Sequence, residues 1–179
     1  MHARIRELLR YLDDTGADLR AAVDAVPPPL RSRKPAADRW SVAEVLEHLS
    51  LVEQRIANMA AAQIQAGRTG GLGPDTNTVG TLESFDAHRV VDRSRRLIAA
   101  EATLPHQGLD EPAAWAALVE ARDAVRTAIL GGDGLNLGEL VIPHSVMGHM
   151  NLYHWVAFIG AHELRHAAQI REIAAQLST

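Results

Sequence analysis

His162 and His166 stand four residues apart in the segment His162-Glu163-Leu164-Arg165-His166. On a helix, that spacing stacks two imidazoles one turn apart on a single face, where neutral rings can chelate one metal ion. Trp155, Ile159, His162, His166, Gln169 and Ile173 recur at four-three-four-three-four spacing, so the pair lies in the stripe that should face a helical core. Gln169, a turn further on, is placed to orient a ligand or hold a water. A third ligand is needed, and His48 is the best placed. It lies at the edge of the apolar face of its own helix, about 70° from the centre, where a facing helix can deliver it. The chain has nine histidines and no cysteine, so any metal must take His, Asp, Glu or backbone donors. A fourth protein ligand from His144, His149 or His154 would close the site and make the metal structural, whereas an open position would make it catalytic. His2, His88 and His106 read as solvated surface residues.

His162 to His166 also spells HExxH, the helix of zinc proteases in which the glutamate acts as general base. Arg165 is out of place in such a helix. Gln169 and Glu172 stand where the extended protease motif needs Gly and His. Glu163 is about 100° round the helix from His162, so it is expected to make a salt bridge with an arginine, the alternative being a base behind the metal ligands. Glu44, one turn before His48, is claimed by a helix cap.

Four long helices are expected to position these residues. The first, about 2–26, carries Ile5, Leu8, Leu12, Leu19 and Val23 at helical spacing and ends at Pro27-Pro28-Pro29. The second opens on the capping box Ser41-Val42-Ala43-Glu44, with Trp40 and Val45 as a hydrophobic staple, and fades near Gly67. The third starts at Asp110-Glu111-Pro112 and stops at Gly131-Gly132, with Trp115, Leu118, Arg122, Val125 and Ile129 on one face. The fourth begins after Asn151 and runs nearly to the C-terminus. Residues 67–81 should be loop, and 82–104 either a short helix or an ordered irregular crossing. No strand is expected. The pattern predicts an all-α fold, a four-helix bundle with a long crossover link, as one domain over 1–179.

Composition narrows the function. Lys+Arg 18 against Asp+Glu 22 leaves a net charge of -4, which argues against a nucleic-acid partner. Three Trp, two Tyr and two Phe make no base-stacking platform. The N-terminus lacks the apolar stretch of a signal peptide, and no apolar run reaches the roughly 18 residues of a membrane span. The expectation is a soluble cytoplasmic protein with no membrane partner. Arg93, Arg95 and Arg96 could take an anionic group such as a carboxylate, although a charge run more often marks a solvated face.

Trp40-Ser41-Val42-Ala43-Glu44-Val45-Leu46-Glu47-His48-Leu49 resembles the first motif of the DinB/YfiT-like superfamily of bacterial helical bundles. His144-Ser145-Val146-Met147-Gly148, followed by Trp155, Phe158 and the stretch His162 to Ile170, resembles its C-terminal motif, with Ser145 where the family has proline. The resemblance implies a three-histidine metal site, here His48, His162 and His166. It implies zinc or nickel first, with iron or manganese next. It further implies a small-molecule substrate, a low-molecular-weight thiol among the candidates, and a homodimer. Two functions follow. One is a metal-dependent enzyme that transfers a thiol to a small molecule or hydrolyses it. The other is a non-catalytic stress-response or binding module whose metal is structural or absent.

Overall fold

Most of the long helices begin where a side chain can accept their first free amides. The computed structural model describes residues 1–94 and 97–177. Helix α1 spans Ala3–Asp24 and ends just before the proline run. In α2 (Val42–Thr69), Ser41 Oγ accepts from the Glu44 amide at 3.2 Å and Glu44 accepts from the Ser41 amide at 2.8 Å, the reciprocal box the sequence predicts. A five-residue helix α3 (Ala87–Val91) is capped by Asp86, and α4 (Glu111–Gly131) by Asp110. Helix α5 (Leu152–Leu177) starts where Asn151 Oδ1 accepts from the His154 amide at 2.9 Å.

The expectation of no strand is wrong. Strands β1 (Val141–His144) and β2 (Gly148–Asn151) pair as an antiparallel hairpin, with Val141 opposite Asn151 and His144 opposite Gly148. Each strand is too short to show alternation, and Pro143 lies inside the first. Among the described residues of 82–104, 3-10 turns at Leu82–Ser84 and Glu101–Thr103 flank the short helix α3, so both expectations hold in part.

Helix α1 packs along α5, and α2 along α4. Two apolar clusters fill the interior. One gathers Leu8, Leu12, Ile56, Val125 and Ile159, the other Leu19, Val45, Leu49, Leu118 and Ile170. Between them each long helix contributes one polar residue: Thr15, Glu53, Arg122 and Glu163, all buried. The mainly helical fold thus carries a charged layer through its middle.

At Gly160 the backbone of α5 runs against the Tyr11 ring of α1. A Cβ there would overlap Cε1 and Cδ1 of the Tyr11 ring. Gly160→Ala is therefore expected to cost about 1–3 kcal/mol, the usual range for overpacking, read as a lowered urea midpoint. An unchanged midpoint would mean that Tyr11 swings clear and that the contact does not set the spacing of the two helices.

Candidate metal centre

His48 from α2 and His162 and His166 from α5 converge, as the sequence predicts. One nitrogen from each ring lies within 4.8 Å of the other two. The ring centroids of His162 and His166 are 4.5 Å apart, and His48 stands 5.2 Å and 5.0 Å from them.

The hydrogen bonds set which nitrogen each ring offers. A carbonyl oxygen can only accept, so His48 Nδ1 donates to the Thr103 carbonyl at 2.7 Å, leaving the Nε2 lone pair free. His166 Nδ1 donates to Gln169 Oε1 at 2.9 Å, which likewise frees Nε2. His166 Nε2 and His162 Nε2 face each other at 3.1 Å. Two ligands on a tetrahedral zinc with bonds near 2.05 Å would be about 3.3 Å apart, so the pair is spaced for one ion. The carbonyl behind His48 and the carboxamide behind His166 are the usual device for holding a ligating imidazole in orientation.

Burial keeps all three rings neutral, as ligation requires. It lowers His48 against the opposing pull of the Thr103 carbonyl. It drives His162 and His166 well below the ordinary histidine range, with the neighbouring imidazoles adding to the effect. Phe158 stacks on His162 at 5.3 Å, and Trp40 lies 5.0 Å from His48. The histidines form one wall of a cleft of about 780 Å³.

The other histidines go elsewhere. His144 Nδ1 accepts from the amides of Val146 and Met147 at 3.0 Å and 3.1 Å, so its ring braces the hairpin turn and its proton sits on Nε2. Ligation through Nε2 would require that proton to move onto Nδ1, at the expense of both amide bonds. His154 Nε2 bonds Ser84 Oγ at 3.0 Å, and His149 is exposed. His2 departs from the solvated reading: its Nδ1 is buried, 3.9 Å from Asp75. Glu163 faces away from the cleft, bound to Arg122 at 2.5 Å and to Thr15 Oγ1 at 2.7 Å. This is the expected structural salt bridge, and it leaves no general base at the protease position. Glu44 is held by its cap and by Lys34. Arg93 forms a two-pronged pair with Glu172, while Arg95 and Arg96 lie outside the described residues.

Sequence reasoning missed the support from the crossover. The Thr103 carbonyl that orients His48 lies 55 residues away. Glu47 Oε1 accepts from the amides of His106 and Gln107 at 2.7 Å and 2.8 Å and ties the same segment to α2. A backbone carbonyl leaves no mark in a sequence. A buried glutamate beside His48 was the available signal.

The model of the DinB superfamily matches residues 11–170. The chain belongs to that superfamily. The match takes in both α2 and α5, so a DinB-like chain supplies all three converging histidines. The chain is also similar to the uncharacterized protein YuaE of Bacillus subtilis (strain 168), with 26% identity over 143 residues, 79% of this chain and 82% of that one. No solved structure matches it significantly. Among the described residues, no helix of this DinB-superfamily chain is long and apolar enough to cross a membrane.

Proposed function

We propose that the chain is a divalent-metal-dependent enzyme acting on a small molecule, with His48, His162 and His166 as its protein ligands. The observation that carries this is the freed Nε2 of His48 and of His166, each backed by an oxygen acceptor, converging with His162 on the wall of a cleft. A divalent ion bound by three neutral imidazoles keeps its full charge and supplies Lewis acidity that lowers the pKa of a bound water or thiol toward neutral. The residues here do the rest. Thr103 and Gln169 hold two ligand rings in orientation. Phe158, Trp40 and Trp155 exclude water on the apolar side. Transfer of a low-molecular-weight thiol to the substrate, or its hydrolysis, fits such a site.

Zinc or nickel is the first expectation for the ion, with iron or manganese next; an all-imidazole set suits zinc, nickel or iron. DinB membership supports the finer architecture, a four-helix bundle with a crossover link forming one domain. It also supports a homodimer, while the net charge of -4 speaks against a nucleic-acid partner and a cytoplasmic location completes the reading.

The test is elemental analysis of protein purified without a His-tag or chelator, beside His48→Ala and His166→Ala. About one equivalent of metal is expected, lost in both variants while their far-UV circular dichroism is retained. No metal in the wild type after reconstitution with zinc, nickel, iron or manganese would overturn the proposal and favour a non-catalytic module with a histidine-lined core.

A further inference from the structure

The cleft is charged unevenly. Arg39, Arg55, Arg89, Arg93 and Arg165 line it, against the acids Asp38 and Glu172. Both acids belong to one end. Asp38 precedes α2 and Glu172 lies beyond His166 on α5, and these ends meet where Val42 and Val45 pack with Ile170 and Ile173. There Arg93 and Glu172 neutralise each other through bonds of 2.7 Å and 2.6 Å. The opposite end, toward the hairpin, is lined by Arg55 and Arg89 and by no acid. Arg89 donates to the Val146 carbonyl at 2.7 Å, which leaves its charge uncompensated. Arg55 has no hydrogen-bond or ion-pair partner among the described residues. By contrast, Arg4, Arg20, Arg31, Arg122, Arg126 and Arg171 all face carboxylates.

Arg55 also stands in register with the histidines. His48, Val52 and Arg55 share one stripe of α2, and seven residues at 1.5 Å each put Arg55 about 10 Å along the axis from His48. The wall between them is apolar, with Val52 from α2 and Phe158 and Trp155 from α5 facing the cleft. A positive end in a low-dielectric cleft draws an anion even on a chain of net charge -4.

We propose that the molecule taken by this cleft is an amphiphilic carboxylate, with its carboxylate on Arg55 and its apolar body along Val52 and Phe158 toward the three histidines. A guanidinium offers two parallel N–H donors that match a carboxylate, and Arg89 adds charge without competing for the same bond. The inference rests on the cleft being the substrate site but does not require the metal.

The test is a titration of metal-stripped protein with octanoate and with 1-octanol at neutral pH and low salt, followed by tryptophan fluorescence. Trp40 and Trp155 line the cleft and report occupancy, whereas Trp115 lies under Arg20 on α4. Octanoate should bind at least about tenfold more tightly than octanol, the gain of one charge-assisted pair, and added salt should erode the preference. Arg55→Gln should abolish the preference and leave octanol binding unchanged. Arg10→Gln, on α1, should alter neither. Equal affinity for the two ligands, no binding of either, or a preference that survives Arg55→Gln would overturn the inference. Because no metal is present, this outcome is independent of the metal analysis above, and the two proposals fail separately.

Discussion

Arg122→Met is expected to destabilise the protein by about 3–5 kcal/mol, the range seen when one partner of a buried ion pair is removed. Arg122 makes a two-pronged pair with Glu53 at 2.8 Å and 3.0 Å, and bonds Glu163 at 2.5 Å and the Leu12 carbonyl at 2.9 Å. Two carboxylates thus share one guanidinium between two apolar clusters. Burial works against the arginine's charge, but Glu53 and Glu163 hold its pKa above the ordinary range. Burial pushes Glu53 up to about 7 and raises Glu163 too, against the pull of Arg122. Without the arginine both carboxyls must take up protons or lie charged in the core. A carboxyl whose folded pKa is raised loses stability as pH rises from its unfolded value through its folded value. The penalty of Arg122→Met should therefore be larger at mildly alkaline than at mildly acidic pH, read from urea unfolding. The triple variant Glu53→Leu, Arg122→Met, Glu163→Leu should recover most of the loss, because an apolar layer of similar volume replaces the charges. An Arg122→Met midpoint within about 0.5 kcal/mol of wild type, the scatter of an ordinary surface change, would mean that the layer contributes nothing. Glu163 adjoins His162, so the same layer also fixes the rotation of α5 that turns the histidine pair toward the cleft.

What the sequence discloses follows the range of the interactions involved. The Ser41–Glu44 cap, the Asp110 and Asn151 starts and the His162–His166 stripe are local, with every partner within four residues. They stand in the structure as read. His48 was legible because it sits at the edge of an apolar face, where a neighbouring helix must meet it. The crossover was not legible, because residues far away in the chain hold it. Arg165 donates to the Val90 and Asp92 carbonyls, His48 to Thr103, and Glu47 takes the amides of His106 and Gln107. None of these bonds alters the local pattern of residues 82–107. The hairpin was hidden for another reason. Four-residue strands carry too little periodicity, and its turn depends on the His144 ring accepting two amides and on Gly148 at φ 80°. The charged layer was visible only in part. Arg122 lies on the apolar face of α4, and a buried arginine demands acids, but which acids is a matter of packing.

Adding zinc to the stripped protein should raise its unfolding free energy by about 4 kcal/mol when free zinc stands about 1,000-fold above its dissociation constant. The gain should shrink as pH falls. His48, His162 and His166 must be neutral to ligate, so protons compete with the ion. The apo-protein should weaken over the same interval. Burial depresses the folded pKa of all three, so the unfolded chain, with histidines near 6.5, binds more protons below that pH. The stability of each neutral ring is therefore present above about 6.5 and is lost as pH falls toward the folded value, at about 1.4 kcal/mol per pH unit per ring. His144 and His154, also lowered by burial, act in the same direction. Glu53 and Glu163 act in the opposite direction, because their raised folded pKa values favour the acid side. His162 and His166 are the histidines driven furthest down, and the expected net slope is a loss of stability on acidification. Urea unfolding with and without zinc, from neutral pH down to mildly acid, reads both effects. His166→Ala should abolish the zinc gain and lower the proton slope by about one histidine. A zinc gain that survives in His166→Ala would show that the ion binds elsewhere. A proton slope left unchanged by His166→Ala would show that this ring takes up its proton in the folded state as readily as in the unfolded chain.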